Sequence, residues 1–373
     1  MPKNVQDRTD IYMEISKRNY GIDLLRVFCI FGVVVLHILG HGHVLETTVS
    51  PLGFSLAWLL EIASYPAVNC FILISGFVGY RAEKYYPKLS NLLYLFITVL
   101  FYSIVICFVL KLFFEPTISS KNVFDAFFPV TKNQYWFFTS YFAMFLISPA
   151  LNLFVHRARG KMLFIYVIAF LLLSVFSLKK DPFILNRGYS FIWFALMYIL
   201  GAIFKKYDIK SKVSLIQSLV LIFIPTLITW LTKVLFHFSK IKTEDLFVSY
   251  CSPTVVAAAA GLLCFFSKIE ISKCQKFISF LASSAFSVYL IHDNIHFRNL
   301  LMSGSFAFIN DYNTLLLPVF VLISALIIFV VCTLIDKVRI LLFDICRIKS
   351  LCSCGEKLIK KAVNFLYKKV IRI

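Results

Sequence analysis

Residues 22–40, IDLLRVFCIFGVVVLHILG, form a stretch long and apolar enough to cross a bilayer as one helix. Within it lie two side chains of a different kind, Arg26 and His37. An α-helix turns about 100° and rises about 1.5 Å per residue, so eleven positions correspond to about three turns and about 16 Å. Both side chains therefore share one face. Since an ionised residue at mid-membrane costs at least ~2.5–3.5 kcal/mol, this face is expected to turn toward protein or water and is a candidate functional site.

The composition of the whole chain places that stretch in a membrane protein. The 373 residues are 60% hydrophobic and 17% aromatic, and the mean hydropathy of +0.84 is too high for a soluble domain of this size. We expect an all-α, polytopic helical bundle of about ten transmembrane helices. The apolar windows fall near residues 22–40, 54–80, 90–114, 134–154, 162–178, 190–204, 213–236, 249–267, 277–296 and 314–335.

The net charge of +19 is distributed in a way that indicates topology. With a cytoplasmic N-terminus, 27 of the 38 Lys and Arg residues fall on the cytoplasmic side and 8 on the other. Both termini are therefore expected in the cytoplasm, and no nucleic-acid partner is expected. The first span is expected to stay as a signal anchor, because it contains an ionised residue and no small-residue cleavage site follows it.

Three regions follow from this layout. Residues 1–20 are expected to be a cytoplasmic segment, residues 21–336 the membrane domain and residues 337–373 a basic cytoplasmic tail. In the tail, apolar residues recur every four positions among lysines. That pattern is typical of a helix that lies on a membrane surface, so membrane lipid is an expected partner.

Two histidine pairs raise the question of metal binding. His41 follows His37 by four residues, and two histidines at this spacing can share a metal. No third ligand is evident beside them, so a polar rim at the helix mouth is favoured and no metal is expected. The window 277–296 holds a second pair, His292 and His296, with Asp293 between them. A Ser-His-Asp triad or a metal site is conceivable there, but a polar cavity lining is the favoured interpretation.

Other polar positions admit a structural and a functional interpretation. Ser75 and Gly76 are typical of a close helix–helix approach. Trp136 stands at a helix entry, where an interfacial aromatic belt is favoured over a sugar-binding platform. Arg187 places a guanidinium at the outer mouth of a span, and Glu61 needs a partner within the bundle.

Five sequence blocks together resemble the acyltransferase 3 family, integral-membrane enzymes that O-acylate polysaccharides and other extracytoplasmic glycans. Arg26 and His37 match the family's Arg-x10-His signature. The other blocks appear in the family's order and span nearly the whole membrane region. They are FILISGFVGYR (71–81), NQYWFFTSYFAMFLISPALN (133–152), GYSFIWFALMYILGAIFKKY (188–207) and FSVYLIHDNIHFR (286–298).

The resemblance implies an activity. It implies transfer of an acyl group, usually acetyl from cytosolic acetyl-CoA, to a hydroxyl of a cell-surface glycan or lipid-linked oligosaccharide at the plasma membrane. Acetyl-CoA would be a substrate, with no permanently bound cofactor. Many relatives carry paired arginines shortly after the Ser-Gly-Phe block, whereas here Arg81 is followed by Lys84 and Lys88, which do not offer the same bidentate fork.

Roles for the candidate residues follow from the chemistry and the resemblance. His37 is predicted to be the general base or a transient acyl carrier, since imidazole suits proton removal near neutral pH. Arg26 is predicted to contact the donor. Three residues are assigned to donor binding: Arg81, Ser75 and Gly76. Three more are assigned to lining on the acceptor side: Trp136, Arg187 and His292.

Two other function classes share much of this pattern. A transporter or flippase of a glycan precursor would also have about ten spans, buried polar residues and the same charge bias. It would translocate its substrate and would not depend on acyl-CoA. A purely structural membrane subunit would leave the face of Arg26 and His37 without a purpose. The ordered blocks, and not the composition, favour the acyltransferase.

Overall fold

The computed structural model describes residues 18–81, 88–114 and 117–371, and this part of the chain is helical with connecting turns and no strand. The principal helices are α1 (Tyr20–Leu39), α2 (Pro51–Ser64), α3 (Pro66–Gly79), α4 (Leu89–Phe113), α5 (Trp136–Arg157), α6 (Gly160–Phe176), α7 (Phe191–Lys206), α8 (Leu215–Phe238), α9 (Pro253–Lys268), α10 (Gln275–Ala282), α11 (Ala285–His292), α12 (Leu317–Ile345) and α13 (Ile348–Ile371).

The lengths of these helices confirm an all-α membrane protein. Six candidate spans in the described chain are long and apolar enough to cross a bilayer: α1, α2 with α3, α4, α5, α8, and α12 with the turn before it. Two further apolar helices, α6 and α9, are shorter. The count of ten spans and the cytoplasmic position of both termini stay predictions.

Two predicted windows contain a break. The window at 54–80 is divided between Ser64 and Pro66, where proline supplies no backbone N–H to continue the helix. The window at 277–296 is divided into α10 and α11 and then ends at His292. Past this end, the Asn294 side chain accepts from the backbone N–H groups of His296 and Phe297 and begins a new turn. The polar character of this window therefore reflects a broken helix.

Helix α1 lies at the centre of the bundle. It packs against α2, α3, α9, α10, α11 and α12. Asn19 caps its first turn by accepting from the N–H of Ile22, and donates to the carbonyl of Ser267 at the end of α9. Side chains on opposite sides of the helix are fully buried, Leu25 and Cys29 on one side and Val34 and Ile38 on the other. Helix α1 is therefore enclosed by other helices on two sides.

Helices α3 and α7 approach each other very closely. A Cβ atom added at Gly76 would collide with the carbonyl oxygen of Tyr198, and one added at Gly201 would collide with that of Leu73. Only glycine at both positions permits this contact between backbones. The helix-packing interpretation of Gly76 is thus confirmed.

The C-terminal part is helical beyond the predicted membrane domain. The predicted boundary at residue 336 lies inside α12, which continues to Ile345 before α13 begins. Glu356 on α13 accepts from the backbone N–H of Ser90 and from Lys360, which joins the tail to the start of α4. Residues 1–17 and Lys84 lie outside the described chain.

Candidate functional site

A cavity of about 350 Å3 lies among α1, α2, α3, α5 and α11 and is called the central cavity here. This volume falls within the range of small-molecule sites. Most of its lining is apolar or aromatic, and five residues with an acidic, guanidinium or imidazole side chain contribute to it: His37, His41, Glu61, Asp293 and Arg298. Its aromatic lining residues are Tyr65, Phe71, Trp136, Phe137, Tyr189, Tyr250, Phe286 and Tyr289.

Hydrogen bonds fix the tautomer of His37. Its Nδ1 lies 2.9 Å from Nε2 of His292, and Nδ1 of His292 lies 2.5 Å from the carbonyl oxygen of Val288. A carbonyl only accepts, so Nδ1 of His292 carries the proton and, in the neutral ring, Nε2 accepts. His37 therefore donates from Nδ1, and its Nε2 keeps a lone pair. Among the described residues no hydrogen bond engages that nitrogen, and His37 lines the cavity.

Asp293 and Arg298 lie beside this histidine pair. Oδ1 of Asp293 is 3.7 Å from Nδ1 of His37 and 3.8 Å from Nε2 of His41. The same oxygen accepts from the Arg298 guanidinium at 3.0 Å. In the turn after α1, burial lowers the pKa of His41, and the neighbouring Asp293 carboxylate acts against that effect. A positive charge that forms on His37 would thus be stabilised by Asp293.

The turn that carries Asp293 is held from α5. The hydroxyl of Tyr135 donates to the carbonyl of Leu290 at 3.0 Å and accepts from Asn294 at 2.8 Å. Asn294 is itself buried and caps the following turn. These contacts fix the backbone on both sides of Asp293, so its carboxylate is positioned before any substrate binds.

Three of these residues form a possible cation site. One ligand atom each from His37, His41 and Asp293 lies within 4.8 Å of the others, so the structure supplies the third ligand that was not evident in the sequence. Arg298, however, forms an ion pair with Asp293 and so already compensates its negative charge. Nδ1 of His37 donates to His292, which leaves Nε2 as the ring's ligand atom. Because Arg298 adds a positive charge beside the site, the donor set fits a proton-transfer network better than a metal site.

The other side of the central cavity is an aromatic cluster, defined by Tyr65, Trp136, Tyr189 and Tyr250. The ring centroids of Trp136 and Tyr189 are 4.3 Å apart, those of Tyr189 and Tyr250 are 5.2 Å apart, and those of Tyr65 and Tyr250 are 5.0 Å apart. The three tyrosines also line a second cavity of about 280 Å3, together with Arg187. Arg187 donates to the carbonyl of Val248 at 2.6 Å.

Apart from Trp136, the remaining predicted residues lie away from the lining of the central cavity. Arg26 forms an ion pair at 2.6 Å with Asp23, one turn earlier on α1. Ser75 donates to the carbonyl of Phe71, and Arg81 is exposed. His292 is buried behind His37 and contacts it, whereas Trp136 lines the cavity itself. The roles of all these residues stay predictions.

Sequence reasoning did not single out Arg298, Asp23 or the tyrosines of the aromatic cluster. Arg298 ends a quoted block and is the one basic residue in residues 297–313, which is a usable signal. Asp23 precedes Arg26 by three residues and so shares its helical face. The tyrosines gave no such signal, because 185 positions separate Tyr65 from Tyr250.

The comparison with known proteins agrees with this geometry. A family model described as an acyltransferase domain matches residues 19–336. No curated protein and no solved structure matches the chain significantly. The match covers α1 through most of α12, including every residue that lines the central cavity. The chain is therefore a member of the acyltransferase 3 family of membrane proteins.

Proposed function

We propose that this protein transfers an acetyl group from cytosolic acetyl-CoA to a hydroxyl of a cell-surface glycan or its lipid-linked precursor. One observation carries the proposal most directly: His37 lines the central cavity, and its hydrogen bond to His292 leaves the Nε2 lone pair available. A hydroxyl needs its proton removed as it attacks a thioester, and a positioned imidazole performs this step with a gain of about 10²–10⁴-fold.

The proton and the acyl group are both transferred within the cavity. Nε2 of His37 takes the hydroxyl proton while the oxygen attacks the thioester carbon. The resulting tetrahedral intermediate collapses, the carbon–sulfur bond breaks, and the sulfur leaves with the proton held on Nε2. The products are an ester and free CoA thiol. While His37 is protonated, Asp293 at 3.7 Å stabilises its charge.

Arg298 supports the intermediate in this scheme. A guanidinium has five N–H donors, and the contact with Asp293 uses one of them. Since Arg298 also lines the central cavity, its remaining donors can stabilise the oxygen that becomes negative in the tetrahedral intermediate. Donors fixed in place before the reaction are worth more than donors that must reorganise.

The donor is proposed to enter along the other end of α1. Arg26 lies about 16 Å from His37 along the helix axis. Tyr141 lies near Ser75 and within electrostatic range of Arg26. Tyr141 also stacks on Phe137, which lines the central cavity. These residues connect the Arg26 end to His37 and suit an extended thioester arm; Arg81 would contact the CoA phosphates.

The same nitrogen can also act as a nucleophile. In that case Nε2 attacks the thioester, an acyl-imidazole forms with release of CoA thiol, and the acceptor hydroxyl then takes the acyl group. The two routes differ in one measurable species. Labelled acetyl-CoA without acceptor leaves label on the protein only if the acyl-imidazole forms.

The test is acetyl transfer in membranes that contain matched amounts of wild type, His37→Ala or His43→Ala. His43 is the control, because it is a half-buried histidine six residues away that does not line the central cavity. We expect label from acetyl-CoA to reach glycan with the wild type and His43→Ala, and to be lost with His37→Ala. Unchanged label with His37→Ala would refute the role of His37. No label from the wild type across a panel of glycans would contradict the acyltransferase and favour translocation of a glycan precursor.

A further inference from the structure

Glu61 is a buried acid that the acetyl-transfer chemistry does not use. It lies in the last turn of α2 and lines the central cavity, with 8% of its surface exposed. Its Oε2 has no hydrogen-bond partner within the described residues. The phenol groups of Tyr65, Tyr189 and Tyr250 all lie within its electrostatic range. The side chain thus offers an unsatisfied acceptor at the aromatic side of the cavity.

The charges around the central cavity do not compensate this acid. Asp293, the other acid of the lining, is paired with Arg298. Arg187, on the far side of the three tyrosines, is directed to the carbonyl of Val248. An unpaired buried carboxylate is costly, because it loses hydration without gaining a counter-ion. A ligand that brings a positive charge would remove this cost, whereas a neutral ligand would not.

The rings beside Glu61 favour the same kind of ligand. The faces of Trp and Tyr rings attract cations within about 6 Å of their centroids. This protein uses that interaction nearby, since the ammonium of Lys233 lies 4.1 Å from the ring centroid of Trp58. A carboxylate and several aromatic rings at one end of a cavity therefore suit an ammonium group.

The position of Tyr250 is fixed from behind. Asn69 on α3 donates to the carbonyl of Tyr250 at 2.8 Å and accepts from Nε1 of Trp193 at 3.0 Å. Asn69 is 1% exposed, so these bonds are shielded from water. The aromatic cluster is consequently ordered before a ligand arrives, which lowers the entropy cost of binding.

We propose that Glu61, with Tyr65, Tyr189 and Tyr250, binds a primary ammonium group carried by the acceptor. The inference rests on the proposed function, since it places the acceptor's hydroxyl at His37 and its ammonium at Glu61 within one cavity. An ammonium held in this ion pair has no lone pair, so the hydroxyl is the nucleophile and the product is an ester. Either an amino sugar or an amine-bearing lipid head group supplies this chemistry.

The experiment measures binding to purified, detergent-solubilised protein by calorimetry. All variants carry His37→Ala, so that no acyl transfer occurs during the titration. The first pair of probes is a glucosamine tetramer and the N-acetylglucosamine tetramer, which differ in the charge of the amino group. The second pair is phosphatidylethanolamine and its N-acetylated form, in detergent micelles. Tight binding of the amine probe in one pair and not in the other identifies the source of the ammonium.

Glu61→Gln removes the charge with little change in shape, and Glu46→Gln makes the same change at an exposed site. We expect the amine probe to bind about tenfold more tightly than its acetylated form, a difference of about 1.4 kcal/mol. Glu61→Gln should abolish the preference, whereas Glu46→Gln and Glu61→Asp should keep it. If Glu61→Gln folds poorly, the comparison of the two probes in the protein with Glu61 unchanged still tests the inference.

Two results would overturn the inference. One is equal affinity for both members of each probe pair before Glu61 is changed. The other is an equal loss for charged and neutral probes in Glu61→Gln, which would indicate a general structural role. Failure of the proposed function is a separate result. Amine binding without any acetyl transfer by the wild type would contradict the proposed acetyl-transfer activity and would leave the ammonium site in place.

Discussion

Two buried polar centres in this protein use similar side chains in different ways. The cavity network consists of His37, His292, Asp293 and Arg298. The closed pair consists of Asp336 and Arg339 on α12, with Tyr94 and Tyr102. Each centre joins an aspartate to an arginine inside the bundle. In the cavity network, Asp293 is 2% exposed and Arg298 26%; in the closed pair, Asp336 is 0% exposed and Arg339 3%.

The difference lies in what each centre presents to the central cavity. Arg339 makes two contacts with Oδ1 of Asp336, at 2.7 and 2.8 Å, and a further one with Tyr94 at 2.8 Å. Oδ2 of Asp336 has no hydrogen-bond partner among the described residues, but no member of the closed pair lines the central cavity. Arg298 instead makes one contact with Asp293, and Nε2 of His37 keeps its lone pair. A buried charge pair is thus confined to the fold when it is closed, and is available for chemistry when it faces a cavity.

The largest expected effect is on the closed pair. Arg339→Met leaves Asp336 buried without its counter-ion, so the free energy of unfolding should fall by about 3–5 kcal/mol. Thermal unfolding in detergent measures it. Acetyl transfer per folded molecule should not change. The double variant Asp336→Leu, Arg339→Met should recover most of the loss, since no lone charge remains. A loss of catalysis in the folded single variant would show that the comparison is wrong.

A second prediction concerns Arg298. Arg298→Gln removes the positive charge beside the tetrahedral intermediate, so kcat should fall by about 10²–10³-fold. The thermal unfolding midpoint should also fall, because Asp293 is left buried without its counter-ion, but by less than in Arg339→Met, since Arg298 makes one contact with its aspartate where Arg339 makes two. Initial rates with saturating acetyl-CoA measure this. If Arg298→Gln lowers stability as strongly as Arg339→Met, the two centres are not different in kind.

The third prediction separates positioning from chemistry. His292→Phe removes the acceptor for Nδ1 of His37, so the ring loses its fixed tautomer and orientation. We expect kcat to fall by about 10–100-fold, as for other residues that orient a functional ligand or base. His292→Gln restores a side-chain acceptor and should recover much of the rate. If His292→Phe and His292→Gln lower kcat equally and leave the pH–rate profile unchanged, His292 acts in packing alone.

The smallest expected effect is that of a chelator. Because Arg298 already compensates Asp293, EDTA should change the rate of acetyl transfer by less than about twofold. Dialysis against the chelator followed by assay is sufficient, with Zn²⁺ added back in a parallel sample. Loss of activity that Zn²⁺ restores would assign His37, His41 and Asp293 to a metal site and would contradict the proton-transfer network.

The sequence was informative about the helices because the length of an apolar run decides whether it can cross a bilayer. Apolar runs of bilayer length must be helical, since lipid offers no hydrogen bonds to the backbone. The break at Pro66 follows from proline, which has no backbone N–H. The break after His292 follows from Asn294, whose side chain caps the next turn. Helix α12 continues past residue 336 to Ile345, and Asp336 and Arg339 pair within it. The boundary between membrane domain and tail stays a prediction.

The site could be predicted only in part. Two polar residues in one apolar helix drew attention to His37 without any knowledge of its neighbours. Its partner His292 is 255 positions away in the chain, and no local pattern reports that contact. Glu61 was recognised as needing a partner, but the sequence could not show that its Oε2 has none among the described residues. Contacts between distant segments are thus the information that the structure adds.

The arrangement of His37 has a consequence for the energetics of the membrane. One elementary charge that crosses a potential of 100 mV changes the free energy by about 2.3 kcal/mol. In the proposed reaction, His37 takes a proton from a neutral hydroxyl and returns it to the departing sulfur within the same cavity. No net charge is left on either side, and the cycle carries no current. Turnover in sealed vesicles should therefore be insensitive to the transmembrane voltage, so that the thioester alone supplies the driving force.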